Sequence, residues 1–230
     1  MTIQILSAPR ERWADVAADA VLARIAARLR EVGHCAVMLT GGRSAAQLYT
    51  AWARHPEFRS LTGVAFYFGD ERCVPPDHSE SNYGLAMRTL FASGLPAGCT
   101  VQRMEADSAD QEAAADRYAA ALPDYVDVLL LGVGEDGHIA SLFPHSAALG
   151  ETRRRVVAIT GPKPPPRRLT ITPPVIRQAR SVFVLAAGAA KAAALAEALR
   201  TPEAVEALPA RMVLGATWLL EDETNLWKKP

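Results

Sequence analysis

His138 is the side chain of this sequence best placed to move a proton. Imidazole as a type titrates near neutrality, and the carboxylate of Asp136, two residues away, can orient and tune it. Both stand on a short segment with three glycines, Gly132, Gly134 and Gly137, where the backbone can turn tightly with nothing bulky in the way. The segment follows an apolar run over residues 126–131 that holds one acid, Asp127. Such a run reads as a strand buried on both faces, as inside a parallel sheet. Polar groups on a loop leaving the carboxyl end of a buried strand are where open α/β sheets hold their ligands. The expectation is a general base at His138, although a helix-capping or core histidine would fit the same place. His34, His55, His78 and His145 lack this setting and are expected at the surface.

The three glycines also fit G-x-G-x-x-G, a dinucleotide fingerprint that is weak on its own. A pyrophosphate needs bare N–H groups at a helix N-terminus, and Glu135 and Asp136 would set negative charge against it. Pro144 lies too close for a long helix to run uninterrupted from the turn. Where a ribose-binding acid would fall, about twenty residues on, the chain reads Arg153, Arg154 and Arg155. Nucleotide binding is not expected.

Two more turns carry chemistry. Thr40, Gly41, Gly42, Arg43 and Ser44 follow an apolar run over residues 35–39 and precede a helical pattern over 45–53. Strand, glycine turn and helix in that order can offer backbone N–H groups, the Ser44 hydroxyl and Arg43 to a phosphate; an ordinary strand-to-helix turn reads the same way. Gly69, Asp70, Glu71 and Arg72 follow the aromatic run Phe66, Tyr67 and Phe68, and Pro75 and Pro76 mark the stretch as a loop. There Arg72 is expected to pair with a neighbouring carboxylate and be held rigid for a substrate anion. In a parallel sheet the three turns fall on one edge. From the second half come Arg168 and Lys191. Lys191 falls in the first turn of a helix expected over 189–199, where the dipole disfavours a cation. A docked anion would account for it; so would a plain solvated lysine.

The bulk properties narrow the field. The chain has 230 residues, half of them apolar, and a formal net charge of zero, which argues against a nucleic-acid binder relying on bulk charge. Cys35, Cys73 and Cys99 are few, odd in number and without C-x-x-C spacing, so reduced thiols are expected rather than a disulfide framework or a structural zinc site. Arg10, Glu11 and Arg12 stand where a signal peptide would need an apolar core, and no apolar run is long enough to span a bilayer. A soluble, cytoplasmic chain is expected, with no membrane partner.

Strand patterns over 2–6, 35–39, 63–68, 100–104, 126–131, 155–160, 169–172 and 182–186 alternate with helical patterns. Among the latter are one starting near Ser7 or Ala8 and stopped by Gly33, one over 82–92 capped by Ser79 or Ser81, and one over 108–122. The tail reads as a helix from Pro202, a short buried strand over 212–214 and a terminal helix. The fold class implied is α/β: a Rossmann-like open, mainly parallel sheet with helices on both faces, as a single domain over residues 1–230. The proline-rich stretch 161–166 reads as a flap or rim of the site.

The turns sit within longer blocks: residues 69–75, Ser81 to Gly84, and 134–144 (Gly-Glu-Asp-Gly-His-Ile-Ala-Ser-Leu-Phe-Pro). With residues 165–170 and 188–192, these resemble the signature blocks of 6-phosphogluconolactonases. The fold is shared with glucosamine-6-phosphate isomerase/deaminases, whose histidine block continues through Asn-Glu-Pro. Here Ala140, Ser141, Leu142, Phe143 and Pro144 are similar to the lactonase continuation. The resemblance implies hydrolysis of a 6-phosphogluconolactone in the oxidative pentose phosphate pathway, without metal or cofactor. His138 would activate water, Asp136 orient it, and Arg72 or backbone N–H groups face the carbonyl oxygen. Gly41, Gly42, Arg43, Ser44, Asp70, Arg168 and Lys191 would bind the sugar phosphate. The chain departs from the family's Gly-Gly-Ser-Thr-Pro-like turn at Arg43, Ser44 and Ala45, and from its Pro-Ala-Ser pattern at Arg211. An amino-sugar-phosphate isomerase or deaminase on the same fold, or a sugar-phosphate sensor without chemistry, is the alternative. A monomer or weak homo-oligomer is expected.

Overall fold

The computed structural model describes residues 3–200 and 205–221. Its first half runs β1 (Gln4–Ala8), α1 (Arg10–Val32), β2 (Cys35–Leu39), α2 (Arg43–Arg54), α3 (Pro56–Arg59), β3 (Val64–Phe68), β4 (Asp70–Arg72), α4 (Asn82–Arg88), β5 (Thr100–Val101) and α5 (Gln111–Ala121). Then follow β6 (Val128–Gly132), β7 (Val156–Thr160), β8 (Arg167–Ile171), α6 (Pro173–Gln178), β9 (Val182–Ala186), α7 (Ala189–Arg200) and β10 (Thr217–Glu221). Seven strands form one sheet in the order β1-β10-β9-β6-β2-β3-β5, every neighbour parallel.

The two-residue period of a strand divides the apolar side chains between two cores. Val128, Leu130, Val37, Leu39 and Phe66 pack on one face with Trp13 and Ile25 of α1, Leu48 and Trp52 of α2, and Phe58 of α3. Leu129, Leu131, Met38, Val184 and Trp218 pack on the other with Tyr118 of α5, Ile176 of α6 and Leu195 of α7. Helices therefore cover both faces of a mostly parallel sheet in a single domain, the α/β class expected. Asp127, the acid at the head of β6, is buried because it is fully used. Its Oδ1 accepts from Arg28 Nε at 2.7 Å and its Oδ2 from the Ala36 N–H at 2.9 Å, which pins β6 to α1 and β2.

Two buried tyrosines hold strand ends where they become loops. Tyr49 of α2 donates to the Thr40 carbonyl (2.7 Å) and accepts from the Thr40 N–H (2.9 Å). Tyr118 of α5 makes the same pair of bonds with Phe68, at 3.0 and 2.7 Å. The chain leaves β2 and β3 at fixed positions as a result.

The stretch expected to be a loop at residues 69–76 is a strand over its charged residues. Asp70, Glu71 and Arg72 pair antiparallel with Thr170, Leu169 and Arg168, and β8 pairs antiparallel with β7. This second, three-stranded sheet, β4-β8-β7, packs Leu169, Ile171 and Val156 into the α5–α7 core. Local patterning is silent about a pairing made across about a hundred residues, and the prolines mark only its end. Other boundaries move as well. Ser7 and Ala8 lie in β1, and Pro9 precedes α1 with no side-chain cap; Gly33 does end α1, in the left-handed region at φ 78°. Ser81, not Ser79, caps α4, which stops at Arg88. Asp110 caps α5 at Gln111, and β5 keeps two residues. The strand expected at 212–214 is part of a 3-10 turn, Pro209–Val213; the strand is β10, five residues later. The helix expected from Pro202 is not formed over its described residues, which are turns at 205–207 before the 3-10 turn, and the terminal helix expected after 214 gives way to β10; residues 202–204 and those beyond 221 lie outside the described residues.

Candidate active site

At the carboxyl edge of the large sheet the turns after β2, β3 and β6 meet β8, the 161–166 loop and the start of α7 around a cleft of about 490 Å³. The sequence-expected residues Gly41, Gly42, Arg43, Asp70, Arg72, His138, Arg168 and Lys191 line it. Asp136 stands behind His138, and Ser44 is buried behind the rim with its hydroxyl unpartnered.

The His138 ring is fixed on three sides. Its Nδ1 lies 2.5 Å from Asp136 Oδ1. A carboxylate can only accept, so in the neutral ring Nδ1 carries the proton and Nε2 presents its lone pair. Among the described residues Nε2 has no hydrogen-bond partner in the protein. Below the ring lies Phe143, centroid to centroid 4.6 Å. Behind it is Gly134, where an added Cβ would collide with His138 Nδ1 and with Asp136. The turn itself is closed by Gly134 and Gly137, whose N–H groups donate to the His138 and Gly134 carbonyls at 2.9 and 3.0 Å. Gly137 takes φ 74°, and its carbonyl accepts from the Ala210 N–H at 2.8 Å. The residues after the three glycines form turns and isolated bridges rather than a helix. Burial raises the Asp136 carboxyl, but the hydrogen bond and charge of His138, with Lys163, outweigh it and hold it well below its usual range.

A buried network backs the opposite wall. Asp70 accepts from Ser141 Oγ (2.6 Å) and Asn82 Nδ2 (3.1 Å), and Arg168 Nη1 reaches Ser141 Oγ at 3.4 Å and Asp70 at 4.0 Å. The rest of the Arg168 guanidinium donates to the Pro165, Lys163 and Pro164 carbonyls at 3.0, 3.3 and 3.5 Å. Burial pulls its affinity for the proton down. Arg72 pairs not with Asp70 or Glu71 but with Glu80, at 2.6 Å to the carbonyl and 3.3 Å to the carboxylate. Its Nε–H is buried without a partner.

The third wall suits an anion. Gly42, at φ 89°, precedes α2 with no side-chain cap, so N–H groups of the first turn are open to a ligand. Lys191 is pushed down to about 8, first by burial and then by Arg43, with Glu135 pulling it back. Five cations (Arg43, Arg72, Lys163, Arg168 and Lys191) face three acids, Asp70, Glu135 and the adjoining Asp136, an excess of two positive charges. Burial pushes all three thiols up, Cys35 to about 12 and Cys73 to about 11, which disfavours the thiolate at neutral pH. Among the described residues no three His, Cys, Asp or Glu side chains cluster as a metal site would need, and no helix is long and apolar enough to cross a membrane.

Sequence reasoning missed Asn82, Ser141 and Lys163. Asn82 reads as a helix start and Ser141 as part of a loop; the start of α4 brings Asn82 to Asp70, and the β4–β8 pairing brings Ser141 there. Lys163 carried a signal, as the one charged side chain in a run of prolines.

The family described as glucosamine-6-phosphate isomerases/6-phosphogluconolactonase matches residues 8–221. A 6-phosphogluconolactonase of Rattus norvegicus is 40% identical, covering 96% of this chain and 91% of that protein. One of Streptomyces coelicolor is 38% identical, covering 92% and 89%. The structure of 6-phosphogluconolactonase from Trypanosoma brucei matches at a TM-score of 0.82 and 28% identity, covering 97% of this chain and 98% of that one. With the sheet order, the glycine turns and the Asp136–His138 pair in place, the chain belongs to the glucosamine-6-phosphate isomerase/6-phosphogluconolactonase family.

Proposed function

We infer that this chain hydrolyses 6-phospho-D-glucono-1,5-lactone to 6-phospho-D-gluconate, the lactone-opening step of the oxidative pentose phosphate pathway. Its relatives at 38–40% identity carry the name 6-phosphogluconolactonase over nearly their whole length. The observation that carries the chemistry is the His138 ring, fixed through Nδ1 by Asp136 at 2.5 Å, with Nε2 unpartnered in a cation-rich cleft.

Nε2 takes a proton from water as the oxygen attacks C1 of the lactone. The new C–O bond forms, the carbonyl electrons move onto oxygen, and the oxyanion needs donors. Arg72, with its buried free Nε–H, is the side chain assigned to that charge. Collapse breaks the C1–O5 bond, and the imidazolium returns its proton to O5. Asp136 holds the tautomer throughout. The phosphate docks at the uncapped start of α2, between Arg43 and Lys191. Arg43 and Lys191 crowd each other, and Glu135 offsets only part of that, so such an anion relieves them. Gly41 and Gly42 keep the approach open, and Ser44 supports the turn from behind. Asp70 and Arg168 are saturated by each other's network and by the 161–166 loop, so they shape the cleft more than they grip the ligand. The three free thiols, two of them buried, fit the cytoplasm.

The test is hydrolysis of the phosphorylated δ-lactone, measured above its spontaneous background and beside the unphosphorylated lactone. The expected result is acceleration that depends on the phosphate. Ammonia release from glucosamine 6-phosphate, or binding without turnover, would overturn the reading.

A further inference from the structure

Lys163 lies outside every residue so far given a chemical role, yet it touches the base's partner. Its Nζ is 3.0 Å from Asp136 Oδ1, the same oxygen that meets His138 Nδ1 at 2.5 Å. One carboxylate oxygen therefore serves two nitrogen partners from different elements.

The loop carrying Lys163 is built to deliver it. Four of the six residues from Gly161 to Pro166 are prolines, and each fixes its own φ. The loop closes on itself through the Gly161 N–H to the Pro166 carbonyl, at 2.7 Å. Arg168 reaches under it to three successive carbonyls, those of Lys163, Pro164 and Pro165. Gly161 sits so close to Phe143 that an added Cβ would come within 3.0 Å of Cδ2. The same Phe143 ring supports His138 and lies 5.4 Å from the Arg168 guanidinium. Loop, ring and base form one packed unit, and the Lys163 side chain is its half-exposed tip.

We propose that Lys163 is a positioning residue that holds Asp136 and shares its negative charge, so that less of that charge is left to hold a second proton on His138. The electrostatics fix the sign. Alone beside Asp136, an imidazolium is stabilised by the whole carboxylate charge, and a base that holds its proton cannot accept another. A second cation on the same oxygen takes part of that charge away. The pull downward on the Asp136 carboxyl has contributions from both partners. The other charges around His138 are Glu135 on its own turn, Arg168 and Asp70 on the second sheet, Arg72 beside them, Arg43 on α2 and Lys191 on α7. None of these is paired with Asp136 within 4.0 Å, so among the described residues Lys163 alone competes with His138 for it.

The proposal rests on the lactonase reading for its kinetic test and is independent of it in its spectroscopic one. In the substrate-free protein, an NMR pH titration of the His138 ring, assigned with a His138→Asn variant, is compared between wild type and Lys163→Met. The midpoint should move to higher pH by about half a unit, move less in 0.5 M salt than in dilute buffer because Lys163 is half exposed, and stay near the wild-type value in Lys163→Arg. The acid limb of kcat/KM should move the same way in Lys163→Met and be restored in Lys163→Arg. A ring that titrates identically in wild type and Lys163→Met, with both folded by their melting curves, overturns the proposal and leaves the lactonase reading standing. A chain with no lactonase activity and a shifted titration does the reverse.

Discussion

Glu71 and Asp136 are carboxylates that stand just behind residues lining the cleft, and their surroundings differ in who supplies the hydrogen bonds. Glu71 is buried and accepts from the N–H groups of Arg72, Asn82 and Tyr83 and from Ser81 Oγ, at 2.7–3.0 Å. It seals the start of α4 and fixes the bend after β4. Burial raises its carboxyl in spite of those four donors. Asp136 is one-third exposed and, among the described residues, meets only His138 and Lys163 through its side chain. One acid is saturated by its own chain and holds shape. The other faces side chains that can change protonation and so takes part in chemistry. The cations divide likewise: Arg168 is consumed by loop carbonyls, whereas Lys191 has no ion-pair partner among the described residues.

The largest expected effect lies at the group Asp136 orients. His138→Ala should lower kcat by about a hundred- to ten-thousand-fold with little change in the affinity for 6-phosphogluconate, read by steady-state kinetics and calorimetry. Exchanging the two acids in turn tests the contrast itself. Asp136→Ala should lower kcat by roughly tenfold to a hundredfold while urea melts stay near wild type. Glu71→Ala, which strands buried donors, should cost roughly 2–4 kcal/mol of stability and lower kcat by less than Asp136→Ala does.

On the cation side, Lys191→Met should weaken 6-phosphogluconate binding about tenfold at pH 7, the loss of about one charged contact. Lys191 lies near 8 in the folded chain, so its cation is present below that pH and lost above it. Wild-type affinity should therefore fall from pH 7 to 9, and the variant's should change less. The smallest effects are in stability against pH. Asp136 is held below its usual 3.8, so its contribution is present above that value and lost as pH falls. Glu71 is raised above its usual 4.5, so the folded chain keeps that proton longer and stability falls as pH rises through the window above 4.5. Differences between wild type and Asp136→Asn or Glu71→Gln should slope in opposite directions, each by about 1 kcal/mol or less. Slopes of the same sign would remove the distinction.

This contrast also marks what the sequence shows and what it hides. The large sheet is legible because its strands are apolar runs with glycine turns, and the Asp136–His138 pair because its members are two residues apart. The duties of Asp70, Glu71 and Arg72 are not. Three consecutive charges look alike until β4 pairs with β8 and brings Ser141 and Arg168 to Asp70, while α4 brings Ser81 and Asn82 to Glu71. Arg72 was expected beside a neighbouring acid, and its partner is eight residues on. Lys163 is hidden for the same reason, since its position comes from Arg168 and Phe143 rather than from the prolines alone. Residues 212–214 were misread because three apolar residues suit a strand or a tight turn equally.

The central claim is spatial: the His138 Nε2 lone pair faces the carbon that water attacks. A structure with 6-phosphogluconate bound tests it most directly. The account places a C1 carboxylate oxygen about 2.6–3.2 Å from Nε2, or one water away, with the phosphate at the first turn of α2 between Arg43 and Lys191. A sugar bound the other way round, with its phosphate against His138 and C1 remote from the ring, would contradict it.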